Sequence, residues 1–368
     1  MKRGGGRSFV QTTRAIRIRF GDGAWEDTAE ELDRLGVRRA LLVTTARGAS
    51  ASSHLRDRLG EGIAGVFSES RIHVPVGIAQ AAREMAERRR ADGLLAVGGG
   101  SAIGVAKAVA VETGLPIVAL PTTYSGSEMT AVWAVTESGE KTTGRDVRAA
   151  ARTVIYDPLS TLELPTEISA ASGMNAIAHA VEALYAPDAG PLGTLVAEEG
   201  VRALGSSLPA VVSAPRCREA RSEALYGAHL AGWALDLTSM GLHHKLCHVL
   251  GGTFDLPHAL VHAILLPHVV AFNAPAAPDA MARLGRALRA EDPALALHQL
   301  NLELGITVTL SDLGMGPGDL DRATELAVQA TYPNPRRANR TEIRKLLGNA
   351  AGGDAPRRAR PLGSSPNL

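Results

Sequence analysis

The chain has only two cysteines, Cys217 and Cys247, among its 368 residues. That excludes a disulfide framework, and their separation excludes a Cys-x-x-Cys metal or redox pair, so a reducing cytoplasm is the expected location. Aromatic residues are scarce too, 4% against 45% apolar residues in all, so the cores must be built mainly from Ala, Val and Leu in a helix-rich protein. Net charge is almost absent, because 39 basic residues face 38 acidic ones. Such a balance makes no field that would hold nucleic acid or an anionic membrane surface, and neither is an expected partner. No uninterrupted apolar run approaches the ~20 residues of a membrane helix, and the basic, glycine-rich stretch 1–8 leads into no signal-like apolar segment. The expectation is a soluble, unprocessed protein.

What is present starts with length: 368 residues exceed the roughly 250–300 at which one hydrophobic core stops growing, so two domains are expected. In the first half, short aliphatic or β-branched runs alternate with helical patterns: Ala40 to Thr44, Gly93 to Val97, Ile117 to Leu120 and Arg152 to Tyr156. That alternation predicts a parallel sheet with helices on its faces. After Asp157-Pro158 the rhythm stops, and from about Pro165 to Leu347 the periodicity is helical, as in Thr194 to Ser213 and Arg221 to Asp236. The reading is an α/β nucleotide-binding domain over 1–158 and an all-α domain over 159–351. A tail over 352–368, rich in Gly, Pro, Arg and Ser, is expected to be disordered.

Gly98-Gly99-Gly100-Ser101 follows the apolar run Leu94 to Val97 and precedes a helix-like stretch, Ala102 to Val111. Strand, glycine turn and helix N-terminus together can cradle a phosphate, because backbone N–H groups converge on an anion that only residues without side chains let approach. Three glycines alone fit a plain tight turn equally well. A second loop after the next strand, Pro121 to Glu128, brings the hydroxyls of Thr122, Thr123, Tyr124 and Ser127. Two polar loops at neighbouring strand ends point to one nucleotide, since ligands of open parallel sheets lie beyond the carboxyl ends of the strands. Lys107 is read as a residue that reaches back to a phosphate.

The histidines, 11 in all, are clustered. Asn175 and His179 are four apart in a helical stretch and share a face; His244 and His248 repeat the spacing; His258 follows, with His262 and His268 shortly after.

These residues carry a resemblance to the iron-containing alcohol dehydrogenase superfamily. Its members typically show Gly-Gly-Gly-Ser in the cofactor domain, a Gly-Met-Asp-x-x-x-His helix, and Gly-Leu-x-His with a further His four residues on. A Pro-His pair follows. Here the matching segments are Gly98 to Ser101, Gly173 to His179, Gly241 to His248 and Pro257-His258. Within the superfamily the chain resembles the maleylacetate reductase branch. It does so through Asn175 in place of Asp, Gly104 in place of Asp, Pro121 to Tyr124, Gly126 to Thr130, Lys141 to Asp146 and His243 to Phe254. The likeness runs from about Phe9 to Gly352.

The resemblance implies a dehydroquinate synthase-like α/β-plus-helical fold, a homodimer, and NADH- or NADPH-dependent reduction of the carbon–carbon double bond of maleylacetate to 3-oxoadipate. The runner-up is a metal-dependent alcohol dehydrogenase. The family's metal-ligand positions fall on Asn175, His179, His244 and His258, and its additional histidine on His248. Because Asn175 removes the one anionic ligand, the expectation is a site without metal, in which uncoordinated histidines act as hydrogen-bond donors. In this reading His244 and His248 stand beside the nicotinamide as enolate donor and proton source, and His179, His258 and Tyr332 complete the pocket. Arg145, Lys245 and the histidines are the cations open to the substrate carboxylates. Arg47 is open to a 2′-phosphate, and the choice of cofactor stays undecided.

Overall fold

The structure is a computed structural model that describes residues 9–137, 140–329 and 331–356. The stretches 1–8 and 357–368, on which the reading of an unprocessed start and most of the disordered tail rested, lie outside the described residues.

Eight strands are present among them: β1 (Arg17–Phe20), β2 (Ala40–Val43), β3 (Ile63–Phe67), β4 (Gly93–Gly98), β5 (Ile117–Pro121), β6 (Val132–Glu137), β7 (Glu140–Arg145) and β8 (Thr153–Tyr156). Six form one sheet in the order β1-β8-β5-β4-β2-β3, every neighbouring pair parallel. β2, β4, β5 and β8 are buried along their whole length, which explains why they read as continuous apolar runs. The two strands the sequence reading missed are the sheet edges. β1 alternates Arg and apolar residues, and Arg17 and Arg19 leave the sheet to pair with buried Glu31; β3 is half-buried for most of its length. β6 and β7 pair antiparallel as a separate hairpin.

The chain runs from β2 outward to β3 and then crosses back to β4, so the direction of winding reverses between β2 and β4. The glycine turn sits at the carboxyl end of β4, beside that reversal, where an open sheet opens a crevice for a ligand.

From Thr166 onward the structure is helical. The Thr166–Tyr185 helix is buried almost throughout and packs against the helices Pro191–Ser213, Arg218–Leu237 and His258–Asn273. The stretch His258–Ala276 is long and apolar enough to cross a membrane by length and composition alone, although His258, His262, His268 and Asn273 interrupt it, so no unbroken apolar run of that length is present. It is a core helix, packed on the helices Thr166–Tyr185, Leu242–Phe254, Pro293–Glu303 and Arg340–Gly352, and it carries His258, His262 and His268 inward.

The halves meet at a backbone contact. Gly126 has φ +73°, and a Cβ on it would come within 2.9 Å of the Cα of Gly232; one on Gly232 would lie 2.5 Å from the Gly126 oxygen. Only glycine fits at either position, and the second loop is thereby seated on the Arg218–Leu237 helix.

Candidate active site

The two loops adjoin as expected. Thr122 N donates to Gly98 O at 3.2 Å, and a Cβ on Gly99 would meet the Thr123 side chain at 2.8 Å. Gly98 ends β4 with φ +145°, which frees Gly99, Gly100 and Ser101 to open the Gly100–Thr113 helix with their N–H groups accessible. Thr122, Thr123, Ser125 and Ser127 are half-buried beside them.

Two residues assigned to this site act elsewhere. Lys107 is 1% exposed, and its ammonium donates to Ser127 O at 2.6 Å, Thr130 Oγ1 at 2.8 Å and Val132 O at 2.8 Å. Seven positions along the helix from Gly100 it faces the interior, where burial pulls its pKa down to about 7; it ties the second loop to the hairpin and does not reach a phosphate. Tyr124 is fully buried, and its hydroxyl accepts from Arg221 Nη1 at 3.1 Å. It anchors the loop from behind. Arg47 lies exposed just beyond β2, with Nη2 3.4 Å from Glu163 O.

The helices Thr166–Tyr185, Leu242–Phe254 and His258–Asn273 bring the histidines together. His179, His244 and His262 are buried, with one potential ligand atom of each lying within 4.8 Å of the others. The His179 and His244 rings stack with centroids 5.1 Å apart, and His262 lies edge-on to His244 at 4.9 Å. His258 Nε2 is 3.2 Å from His262 Nε2, while His262 Nδ1 is 2.9 Å from His243 Nε2. His248 is exposed, 6.2 Å by ring centroid from both His244 and His258. Tyr332 packs half-buried on the C-terminal core. Its neighbour Pro333 abuts Gly241, where an added Cβ would lie 2.6 Å from the Pro333 oxygen. His268, further along its helix, is buried apart from this group, and burial lowers its pKa to about 4.

Three members of this cluster, His243, His262 and Glu182, were not among the sequence-derived site residues, and His243 entered only as the start of the matching segment His243 to Phe254. His262 was noted only in passing, although it stands four after His258 on one helix face. Glu182 was missed entirely. Its carboxylate is fully buried and accepts from Gly241 N at 3.1 Å, His243 N at 2.9 Å, His244 N at 3.3 Å and His244 Nδ1 at 2.6 Å. It therefore caps the Leu242–Phe254 helix and holds one imidazole through the same two oxygens. Burial pushes its carboxyl up, against the pull of His243 and the backbone donors.

With both Glu182 oxygens already accepting from backbone N–H groups, this bond favours the Nδ1–H tautomer of His244. With Nδ1–H given to Glu182, the neutral ring presents a bare lone pair at Nε2, an atom that is buried without a hydrogen-bond partner. The neutral form is the resident one: burial, then the nearby Lys141, lowers the His244 pKa to about 3, and burial takes His243 to about 3 and His179, His258 and His262 well below the usual imidazole value. His244 as donor to an enolate is thus corrected, since its free nitrogen accepts. The buried members also do not titrate near neutral pH, because desolvation disfavours the cation.

The profile of the iron-containing alcohol dehydrogenases matches residues 15–158, and that of the C-terminal region of the Fe-containing alcohol dehydrogenase family matches residues 169–351. The chain belongs to the iron-containing alcohol dehydrogenase family. It is similar to the maleylacetate reductase of Pseudomonas sp. (strain P51), 48% identical over 349 residues that span 95% of this chain and 99% of that protein. The crystal structure of maleylacetate reductase from Agrobacterium tumefaciens superposes with a TM-score of 0.91 at 44% identity, covering 95% of this chain and 100% of that one. That of an iron-containing alcohol dehydrogenase from Corynebacterium glutamicum gives 0.90 at 40% identity, covering 94% and 97%.

Family and geometry together overturn the expectation of a site without metal. The unpartnered lone pair at His244 Nε2 and the unpartnered His179 Nδ1 lie in a group close enough to share one ion. Three neutral imidazoles suit a borderline divalent cation. The loss of a carboxylate at Asn175 had argued against metal, but Glu182 supplies a negative charge one hydrogen bond behind His244, an arrangement that raises ligand basicity. Asn175 keeps a buried side-chain oxygen without a hydrogen-bond partner, one turn before His179.

Proposed function

We propose that this chain is an NAD(P)H-dependent maleylacetate reductase, which reduces the carbon–carbon double bond of maleylacetate to give 3-oxoadipate in the breakdown of aromatic compounds. The observation that carries the reading is the near-full-length likeness to maleylacetate reductases. The Gly98–Ser101 turn and the Thr122–Ser127 loop would hold the nucleotide, supplying backbone N–H groups and hydroxyls to its phosphates and ribose.

Bound dihydronicotinamide would supply a hydride to the alkene carbon β to the ketone, the electron pair of the double bond moving onto the ketone oxygen. The enolate then takes a proton at its α carbon, leaving oxidised cofactor and the saturated keto-diacid. A divalent ion held by His179, His244 and His262 would supply Lewis-acid polarisation of the ketone oxygen. Glu182 keeps His244 in the tautomer that exposes Nε2, and His262 is held from its other nitrogen by His243. His248 is exposed in the cleft, and desolvation and the nearby Lys141 lower its pKa to about 3, so its neutral ring would relay a proton from water to the α carbon, taking one up at one nitrogen as it gives one from the other. His258, half-buried beside it, completes the polar wall.

The reading includes a soluble cytoplasmic enzyme working as a homodimer. Spectrophotometric assay of NADH and NADPH oxidation with maleylacetate and with simple aldehydes tests it. Consumption of aldehydes with no turnover of maleylacetate would replace it by the alcohol dehydrogenase reading.

A further inference from the structure

A keto-diacid brings two negative charges into the cleft, so the enzyme needs a cation that is not already committed. Most cations near the loops and helices are committed. Lys107 donates to three oxygens. Arg14 and Arg145, the latter one of the cations first considered for the substrate, both bind Asp236, at 2.8 and 2.9 Å. Buried Arg221 is held by Pro215 O, Leu164 O, Ser169 Oγ and the Tyr124 hydroxyl.

Lys141 differs. It lies on β7, half-buried, and has no hydrogen-bond or ion-pair partner among the described residues. β7 packs on the Leu242–Phe254 helix, which carries His244 and His248. The strand register sets Lys141 opposite Thr136, whose hydroxyl donates to His73 O at 2.7 Å. A Cβ on Gly251 would lie 3.8 Å from the His73 ring and 3.6 Å from His258 Nδ1, so the hairpin reaches the rim of the histidine cluster. The Lys141 charge is felt by His244, His248 and His258, whereas that of Lys245 is felt by His248 alone of these three.

A half-shielded ammonium beside neutral imidazoles, with no counter-charge, is a receptor for an anion: it has already lost part of its hydration, and an arriving carboxylate restores both charge balance and hydrogen bonds. We propose that Lys141 binds a carboxylate of the substrate and thereby selects an anionic keto-acid over a neutral enone or aldehyde. The assignment rests on the reductase reading of the site.

The test compares wild type, Lys141→Met and Lys141→Arg, assayed with maleylacetate and with its dimethyl ester, the ester being measured as substrate or as competitive inhibitor. Loss of a charge-assisted bond to a carboxylate raises KM for maleylacetate about 10- to 100-fold in the Met variant. The ester should shift by no more than a few-fold, KM for NADH should stay put, and Arg should recover most of the loss. An unchanged KM for maleylacetate in Lys141→Met, or an equal loss on diacid and ester, overturns the proposal. Wild type that fails to turn over maleylacetate at all defeats the reductase reading instead, so the two failures are told apart.

Discussion

At the carboxyl end of β4, Gly98, Gly99 and Gly100 hold space open by having no side chains, and the groups they offer a ligand belong to the backbone. Across the cleft, the Thr166–Tyr185, Leu242–Phe254 and His258–Asn273 helices do the reverse: they fill a buried volume with imidazoles whose hydrogen bonds go largely to one another and to Glu182. The proposed nucleotide side would tolerate exchange of its ligand, because backbone donors can return to water. The buried part of the histidine side is fixed, since its polar atoms either have a protein partner or are left bare in the interior, as His179 Nδ1 and His244 Nε2 are.

The contrast can be broken most severely on the histidine side. His244→Ala combined with His248→Ala should lower kcat/KM for maleylacetate on the order of a thousandfold or more, while KM for NADH moves little. A double variant that keeps full turnover would dissociate the cluster from the chemistry. Next in size is Glu182→Gln, whose amide can still accept from the helix N-terminus but would donate to His244 Nδ1 and so turn the ring's N–H toward the cluster. Bound metal, read by elemental analysis after dialysis, should fall about 10- to 100-fold in affinity. Metal content equal to wild type would show that Glu182 is only a helix cap.

The nucleotide side should respond more mildly and in the other parameter. Gly232→Ala pushes a methyl group into the Gly126 backbone, at a cost of about 1–3 kcal/mol in stability and with a raised KM for NADH. A variant with wild-type melting temperature and cofactor affinity would mean that the contact relaxes freely. The most gradual effect is spread over pH. His243 and His268 are buried with pKa values lowered to about 3 and about 4, below the ~6.5 of the unfolded chain. Above that pH neither state takes up the protons. As pH falls through the interval the unfolded state alone is protonated, and stability should drop by up to about 1.4 kcal/mol per histidine per pH unit. Chemical denaturation at several pH values checks this; a stability that is flat between pH 6 and 4 would place these rings in contact with water.

Much of this division was legible in the sequence, for a physical reason. β2, β4, β5 and β8 announce themselves because burial on both faces demands unbroken apolar runs, whereas the edge strands β1 and β3 carry polar or small residues and resemble loops. His179, His244 and His248 were visible through helical spacing. The same rule applied once more, from His258 to His262 and from His179 to Glu182, would have found two of the missing members. A lone Glu in a helix normally faces water, however, and nothing local says that this one lies beneath another helix's N-terminus. Lys107 and Tyr124 were misassigned for the complementary reason: loop and motif position say which residues are near a site, and burial decides whether they point into it.

The Gly126–Gly232 contact bears on how the two sides stay in register. Side chains that meet across a cleft can slide or change rotamer, whereas two peptide backbones in direct touch have no such slack. The contact holds the Pro121–Glu128 loop, proposed to bind the cofactor, against the helical half that carries the histidines. In the proposed reaction the hydride distance would therefore depend on this close backbone contact more than on the side-chain packing elsewhere in the cleft.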